Sequence, residues 1–232
     1  MNIPPIPIKL VRQDSHTNDC LRCCAFMVLQ HFNQKITKNE VWKKLHIYQK
    51  HSGLKGAYFT DLGTLALAKN YHISISHNDW HWWNKSTVKA LKKSKPGFIK
   101  ALKDLRQTKS GWAEKKLIDK EINFINKGGK FYFALPKLTT INNLLNRQIP
   151  VILSVRAEDL YHDPKNKRAT SIVVVGKENE KYFIKDPYWA LDEISSEELY
   201  FAWTRNGGWL LAIEPTSKPQ PQLPLFEKEN KK

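Results

Sequence analysis

The apolar pattern of this 232-residue chain changes character at residue 131, and that change limits the folds open to it. Before it, Cys24, Met27, Val28 and His31 recur at i, i+3, i+4 and i+7, the spacing of one helical face. Asn18 or Asp19 can cap that helix, and prolines at 4, 5 and 7 make the segment before it extended. Thr37 and Glu40 form a capping box for a second helix through Val41, Trp42 and Leu45, and Thr60 or Asp61 opens a third. One short strand, 73–76, follows. After the change, alternating β-branched and aromatic residues predict strands at 131–134, 151–155, 172–175, 182–184 and 209–213, with one helix at 140–146. Glu180 marks a turn between two antiparallel neighbours. Helices first and sheet second is the signature of an α+β domain.

A hydrophobic fraction of 41%, with eight Trp and ten Phe, is enough to close one large core, so residues 1–213 are expected to form a single domain. Residues 214–232 are rich in proline and charge and are expected to be a disordered tail. No run approaches the ~18 apolar residues of a membrane span, and the start lacks the basic-then-apolar order of a signal segment. The three cysteines, Cys20, Cys23 and Cys24, lie too close along one helix to bridge one another. Both observations predict a cytoplasmic protein in a reducing compartment. The formal charge is +16, and residues 79–130 hold 14 Lys or Arg against five Asp or Glu, interleaved with Trp80, Trp82, Trp83 and Trp112. Amphipathic helices at 86–106 and 111–127, with solvated lysines outside and tryptophans inside, account for this stretch. The alternative is a surface for nucleic acid or another polyanion.

Cys20 is the residue with chemistry. Behind the Asn18-Asp19 cap it falls in the first helical turn, where unpaired backbone N–H groups and the helix dipole favour a thiolate. Cys23 and Cys24 lie a turn deeper, as core positions do. Other readings are weaker. Cys20-Leu21-Arg22-Cys23 is a CxxC without the preceding strand of a thioredoxin-like unit. His16 with the three cysteines lacks a second paired-ligand group for zinc, so neither a metal nor a cofactor is expected. A lone buried cysteine is otherwise a small hydrophobe.

The order Gln13, then Asp19-Cys20 opening a helix with Met27-Val28-Leu29, resembles the bacteriocin-processing, double-glycine-leader cysteine peptidases, a papain-like family. The likeness continues through 58–67, Ile149-Pro150-Val151-Ile152, Val173-Val174-Val175-Gly176 and Asp186-Pro187. It implies a papain-like fold over roughly 5–213, with an N-terminal helical half carrying Cys20, a C-terminal antiparallel sheet half and 79–130 as an insertion-like region. It also implies Cys20 as nucleophile, Gln13 as oxyanion donor and Asp186 as the acid that orients a histidine. Two departures stand out. Leu21 replaces the family's glycine, and Thr170 stands where the histidine belongs, followed by Ser171. Neither hydroxyl is a base near neutral pH. His162, the last histidine of the chain, is then the candidate displaced base if its loop folds back. The resemblance thus implies a peptide- or amide-cleaving enzyme if the site is complete, or a non-catalytic relative that binds peptide or protein in the same cleft.

Overall fold

A computed structural model of the chain describes residues 2–49 and 55–216. Helix α1 (Cys20–Phe32) turns Leu21, Cys24, Val28 and Leu29 into the core, and α2 (Lys38–Lys44) follows it. Half of the expected capping box of α2 forms: the Thr37 hydroxyl accepts from the Glu40 N–H at 3.3 Å, while the Glu40 carboxylate holds Lys69 at 2.6 Å instead of the Thr37 N–H. The two short strands β1 (Tyr48–Gln49) and β2 (Lys55–Gly56) pair antiparallel, and α3 (Phe59–Leu67) leads into β3 (Tyr71–His77). The lysine-rich region forms three helices, α4 (Lys85–Leu91), α5 (Lys95–Thr108) and α6 (Trp112–Asn126). The single helix expected at 86–106 is therefore two. The Ser94 hydroxyl accepts from the Gly97 N–H at 3.2 Å, and Pro96, which cannot donate to a preceding turn, sits in the first turn of the new helix.

The rest of the chain is β4 (Lys130–Phe133), α7 (Leu138–Asn146), β5 (Val151–Arg156), the one-turn α8 (Ala157–Leu160), β6 (Ala169–Glu178), β7 (Lys181–Lys185), β8 (Glu193–Ser195), α9 (Ser196–Thr204) and β9 (Leu210–Pro215). Seven strands make one sheet in the order β4-β3-β9-β5-β6-β7-β8. All neighbours are antiparallel except β3 and β4, which run parallel. The reason is the connection: α4 to α6 carry the chain back across the sheet, as a parallel pair requires. Two expectations are corrected. The sheet is not confined to the C-terminal half, because β3 lies between β4 and β9, and it is not wholly antiparallel. Strand β9 also runs to Pro215, two residues into the expected tail, and 217–232 lie outside the described residues.

Helix α1 packs across β6, with the Cys24 thiol donating to the Ser171 carbonyl at 3.3 Å. The proline-bearing start pairs antiparallel with the end of β6. Ile3 and Lys177 exchange backbone hydrogen bonds at 2.7 and 2.9 Å, and Ile6, buried, donates to the Val175 carbonyl. Gly176 permits that approach, since a Cβ there would meet Pro5 Cα at 2.8 Å and the Ile3 carbonyl oxygen at 3.0 Å. Backbone cannot rotate away as a side chain can. Gly176→Ala is therefore expected to cost about 2 kcal/mol in urea unfolding and to expose Ile3 and Ile6; an unchanged midpoint would mean that the N-terminal segment is not held there. Among the described residues no helix is long and apolar enough to cross a membrane.

Candidate active-site cleft

Cys20 is the first residue of α1 and is half-buried. Asp19 before it does not cap the helix with its side chain. Its carboxylate instead holds the Arg22 guanidinium at 2.9 Å and the Trp42 indole N–H at 3.3 Å, which leaves the first turn's N–H groups open. Burial, helped by the Asp19 charge, pushes the Cys23 thiol up to about 12, and burial raises that of Cys24 well above its ordinary value. Both are held as neutral thiols. Iodoacetamide labelling at pH 7.5 with peptide mapping should therefore modify Cys20 at least tenfold faster than Cys23 or Cys24; preferential labelling of either of those would remove the reason for naming Cys20 as the candidate nucleophile.

The cleft beside Cys20 is a recess of about 120 Å³ lined by Gln13, Asn18, Tyr161, Arg168, Thr170 and Tyr188 among others. A wider recess of about 540 Å³, lined by Arg12, Asp14 and Trp189, shares Gln13, Ser15 and Tyr188 with it. Gln13 is pinned by its backbone N–H, which donates to the Pro187 carbonyl at 2.9 Å. Its side-chain amide donates to the Thr17 carbonyl at 3.3 Å, and its Oε1 is buried with no partner among the described residues.

Asp186 is fully buried behind the cleft. Its carboxylate accepts from the Tyr188 N–H at 3.0 Å, the Trp189 N–H at 2.9 Å and the Tyr161 hydroxyl at 2.9 Å. Thr170 lies in β6 opposite Val155, one residue into the strand, and its side chain lies beside the Tyr161 phenol. So the group standing between the Thr170 position and the buried acid is a phenol. Burial, and then the charge of Asp186, raise its pKa above the usual tyrosine value. A phenol held in that way keeps its proton, donates a hydrogen bond to Asp186 and takes no proton from a thiol.

No family model matches the chain, and no curated protein matches it in sequence. The architecture is similar to that of C39-like peptidase domains. Three solved structures show the likeness. One is the peptidase domain of Streptococcus ComA, a bifunctional ABC transporter of a quorum-sensing pathway, at 14% identity and TM-score 0.49 over 90% of this chain and 99% of that one. Another is a putative C39-like peptidase from Bacillus anthracis, at 14% identity and TM-score 0.49 over 94% and 100%. The third is a double-glycine-motif protease of an AMS/PCAT transporter, solved with its leader peptide, at 13% identity and TM-score 0.47 over 91% and 94%. Scores of that size carry nothing about chemistry, which has to come from the atoms of the cleft.

Those atoms bring together Gln13, Cys20 and the Thr170 position, with Asp186 behind them. They do not bring His162. Helix α8 is a single turn, so Tyr161, whose N–H donates to the Ala157 carbonyl, faces the cleft. The next residue, His162, takes a left-handed φ of 52° that turns its ring outward to Glu198 at 3.3 Å, with 73% of the side chain exposed. The loop does not fold back, and among the described residues no histidine lines the cleft. Tyr161 is the site residue that the sequence reading does not single out. Its one signal is adjacency to His162, because a residue's facing in an unassigned loop has no periodicity to betray it. Among the described residues, no cluster of three His, Cys, Asp or Glu is placed to hold a metal.

Proposed function

We propose that this chain binds peptides in a cysteine-peptidase-like cleft and does not turn over amide bonds. The observation that carries the reading is the Tyr161 hydroxyl on Asp186 at 2.9 Å. It occupies the acid that would orient an imidazole, and it leaves the Cys20 thiol with no base to receive its proton. Binding is supported by Gln13, whose buried, unpartnered Oε1 is an acceptor on the cleft wall. A peptide N–H entering there would relieve an unsatisfied group that otherwise costs about 1–3 kcal/mol. The test compares native protein with Cys20→Ala on a quenched-fluorescent peptide library. Expected is native turnover indistinguishable from the blank while Cys20 remains alkylatable. Robust turnover abolished by both Cys20→Ala and His162→Ala would overturn the reading and make His162 a displaced base.

A second reading has an observation of its own. The seven lysines between residues 85 and 103 are exposed, have no ion-pair partner among the described residues, and share that stretch with no Asp or Glu. This supports contact between the α4–α5 hairpin and a polyanion such as nucleic acid. Trp83 is buried and Trp82 partly so, their indoles bonded to Glu121, so these two offer no stacking platform, whereas Trp80 and Trp112 are exposed, against the expectation of tryptophans turned inward. Weak, steeply salt-dependent oligonucleotide binding lost on replacing four of those lysines would favour it.

A further inference from the structure

The chain has seven arginines, against 31 lysines (38 basic residues less seven). Five of the seven guanidiniums hold a carboxylate. Arg22 meets Asp19 at 2.9 Å, Arg106 meets Asp119 at 2.7 Å, Arg147 meets Glu214, Arg156 meets Glu158 at 2.8 Å, and Arg205 meets Asp159 at 2.6 Å. The two that hold none are Arg12 and Arg168, and each lines one of the two joined recesses.

We propose that the cleft is selective for acidic peptides, with Arg12 and Arg168 receiving ligand carboxylates on either side of Gln13. This rests on the peptide-binding reading above and names the ligand class for that site. Both side chains are exposed, but both spring from fixed backbone. Arg12 directly precedes Gln13, whose N–H is tied to Pro187, and the Arg168 carbonyl accepts from the Ala157 N–H at 2.9 Å. The guanidiniums are thus presented at set places on the rim and left without intramolecular partners. Asp14 shares the wider recess, and no ion pair joins it to Arg12.

The residue type matters as much as the charge. A guanidinium is a planar fork that takes a carboxylate through two parallel hydrogen bonds, whereas an ammonium is a point charge. A chain that uses lysine for most of its positive surface has arginine at both cleft positions, and elsewhere its arginines sit on carboxylates. Trp189, 53% exposed, and Tyr188 form the aromatic wall of the wider recess and stack on each other with ring centroids 6.2 Å apart. That wall suits an apolar residue of the ligand flanked by acidic ones.

The experiment uses the full chain and two fluorescein-labelled decapeptide pools, identical except that fixed Glu positions in one are Gln in the other. Anisotropy gives affinity, and protection of Cys20 from iodoacetamide reports that binding is in the cleft. Expected are at least tenfold tighter binding of the Glu pool, protection of Cys20 by it, and a loss of about fivefold in each of Arg12→Gln and Arg168→Gln for the Glu pool alone. Lys127→Gln with Lys130→Gln, exposed after α6 and outside both recesses, should change nothing. Equal affinity for the two pools, or an equal loss in the lysine variant, would overturn acidic selectivity while leaving peptide binding intact. Failure of both pools to bind or protect Cys20 would overturn the peptide-binding reading and this one with it. An oligo-dT that displaces the Glu pool and weakens in the arginine variants would assign the arginines to phosphate, which also overturns it.

Discussion

Thr170→His alone leaves peptidase turnover at the Cys20→Ala background, whereas Thr170→His combined with Tyr161→Ala raises it by about a hundredfold. Position 170 lines the same recess as Cys20, so an imidazole there is placed on the thiol's side of the cleft. What it lacks in the single variant is a partner and room. Asp186 already accepts from two backbone N–H groups and the Tyr161 hydroxyl, and that hydroxyl lies on the side of the acid nearest residue 170. Removing the phenol frees one acceptor position on Asp186 and opens about the volume that the imidazole needs. General-base assistance of this kind contributes about 10²-fold or more. The cost is the ring stack of Tyr161 on Trp189, with centroids 5.1 Å apart, and about 2 kcal/mol of stability, which melting would report. Full activity in Thr170→His alone would show that Tyr161 is no obstacle. A double variant that folds, keeps an alkylatable Cys20 and still shows background turnover would show that the groups are not aligned for catalysis.

The parts of the molecule legible in its sequence are those where burial imposes a period. Strands β5, β6, β7 and β9 lie next to one another and carry the fully buried Ile152, Val174, Ile184 and Ile213, so their apolar runs were readable. So was α1, whose buried face places Cys20 at its start. Short elements held by caps were harder. Helix α9 begins at a capping box, Ser195 with Glu198, that stands in the sequence, but β8 before it has only three residues and no detectable alternation. The parallel pairing of β3 with β4 depends on how three helices cross the sheet, which no local pattern carries. In the site, Gln13, Cys20, Thr170 and Asp186 were legible as an order of residues. The exchange of His162 for Tyr161 at the acid was not, because a one-turn helix followed by a left-handed residue decides which of two neighbours faces inward.

Glu121→Gln should reverse its stability rank against the native chain between pH 5 and pH 9. Glu121, on α6, is fully buried and accepts the Trp82 indole N–H at 2.8 Å and that of Trp83 at 3.2 Å, which ties the loop before α4 to the helix layer. Burial pushes its carboxyl up to about 8 against the two indole bonds and the Lys109 charge, which lower it. Its ordinary value is 4.5. Between those values the unfolded chain has lost the proton and the folded chain keeps it, so stability is full below about 4.5 and falls as pH rises towards 8. A shift of that size corresponds to roughly 3–5 kcal/mol. Glutamine does not ionise, so the variant lacks this decline, but its NH₂ faces one indole donor and forfeits a hydrogen bond at about 1–2 kcal/mol. It should be the less stable protein at pH 5 and the more stable at pH 9. His77 is a separate contribution of opposite sign. Buried, stacked on Trp209 at 4.1 Å and held down to about 3, it withdraws stability as pH falls from 6.5, equally in both proteins. Urea melts at pH 5, 7 and 9 decide the matter: parallel curves for native and Glu121→Gln would mean that Glu121 is ionised in the fold, its charge carried by the two indoles.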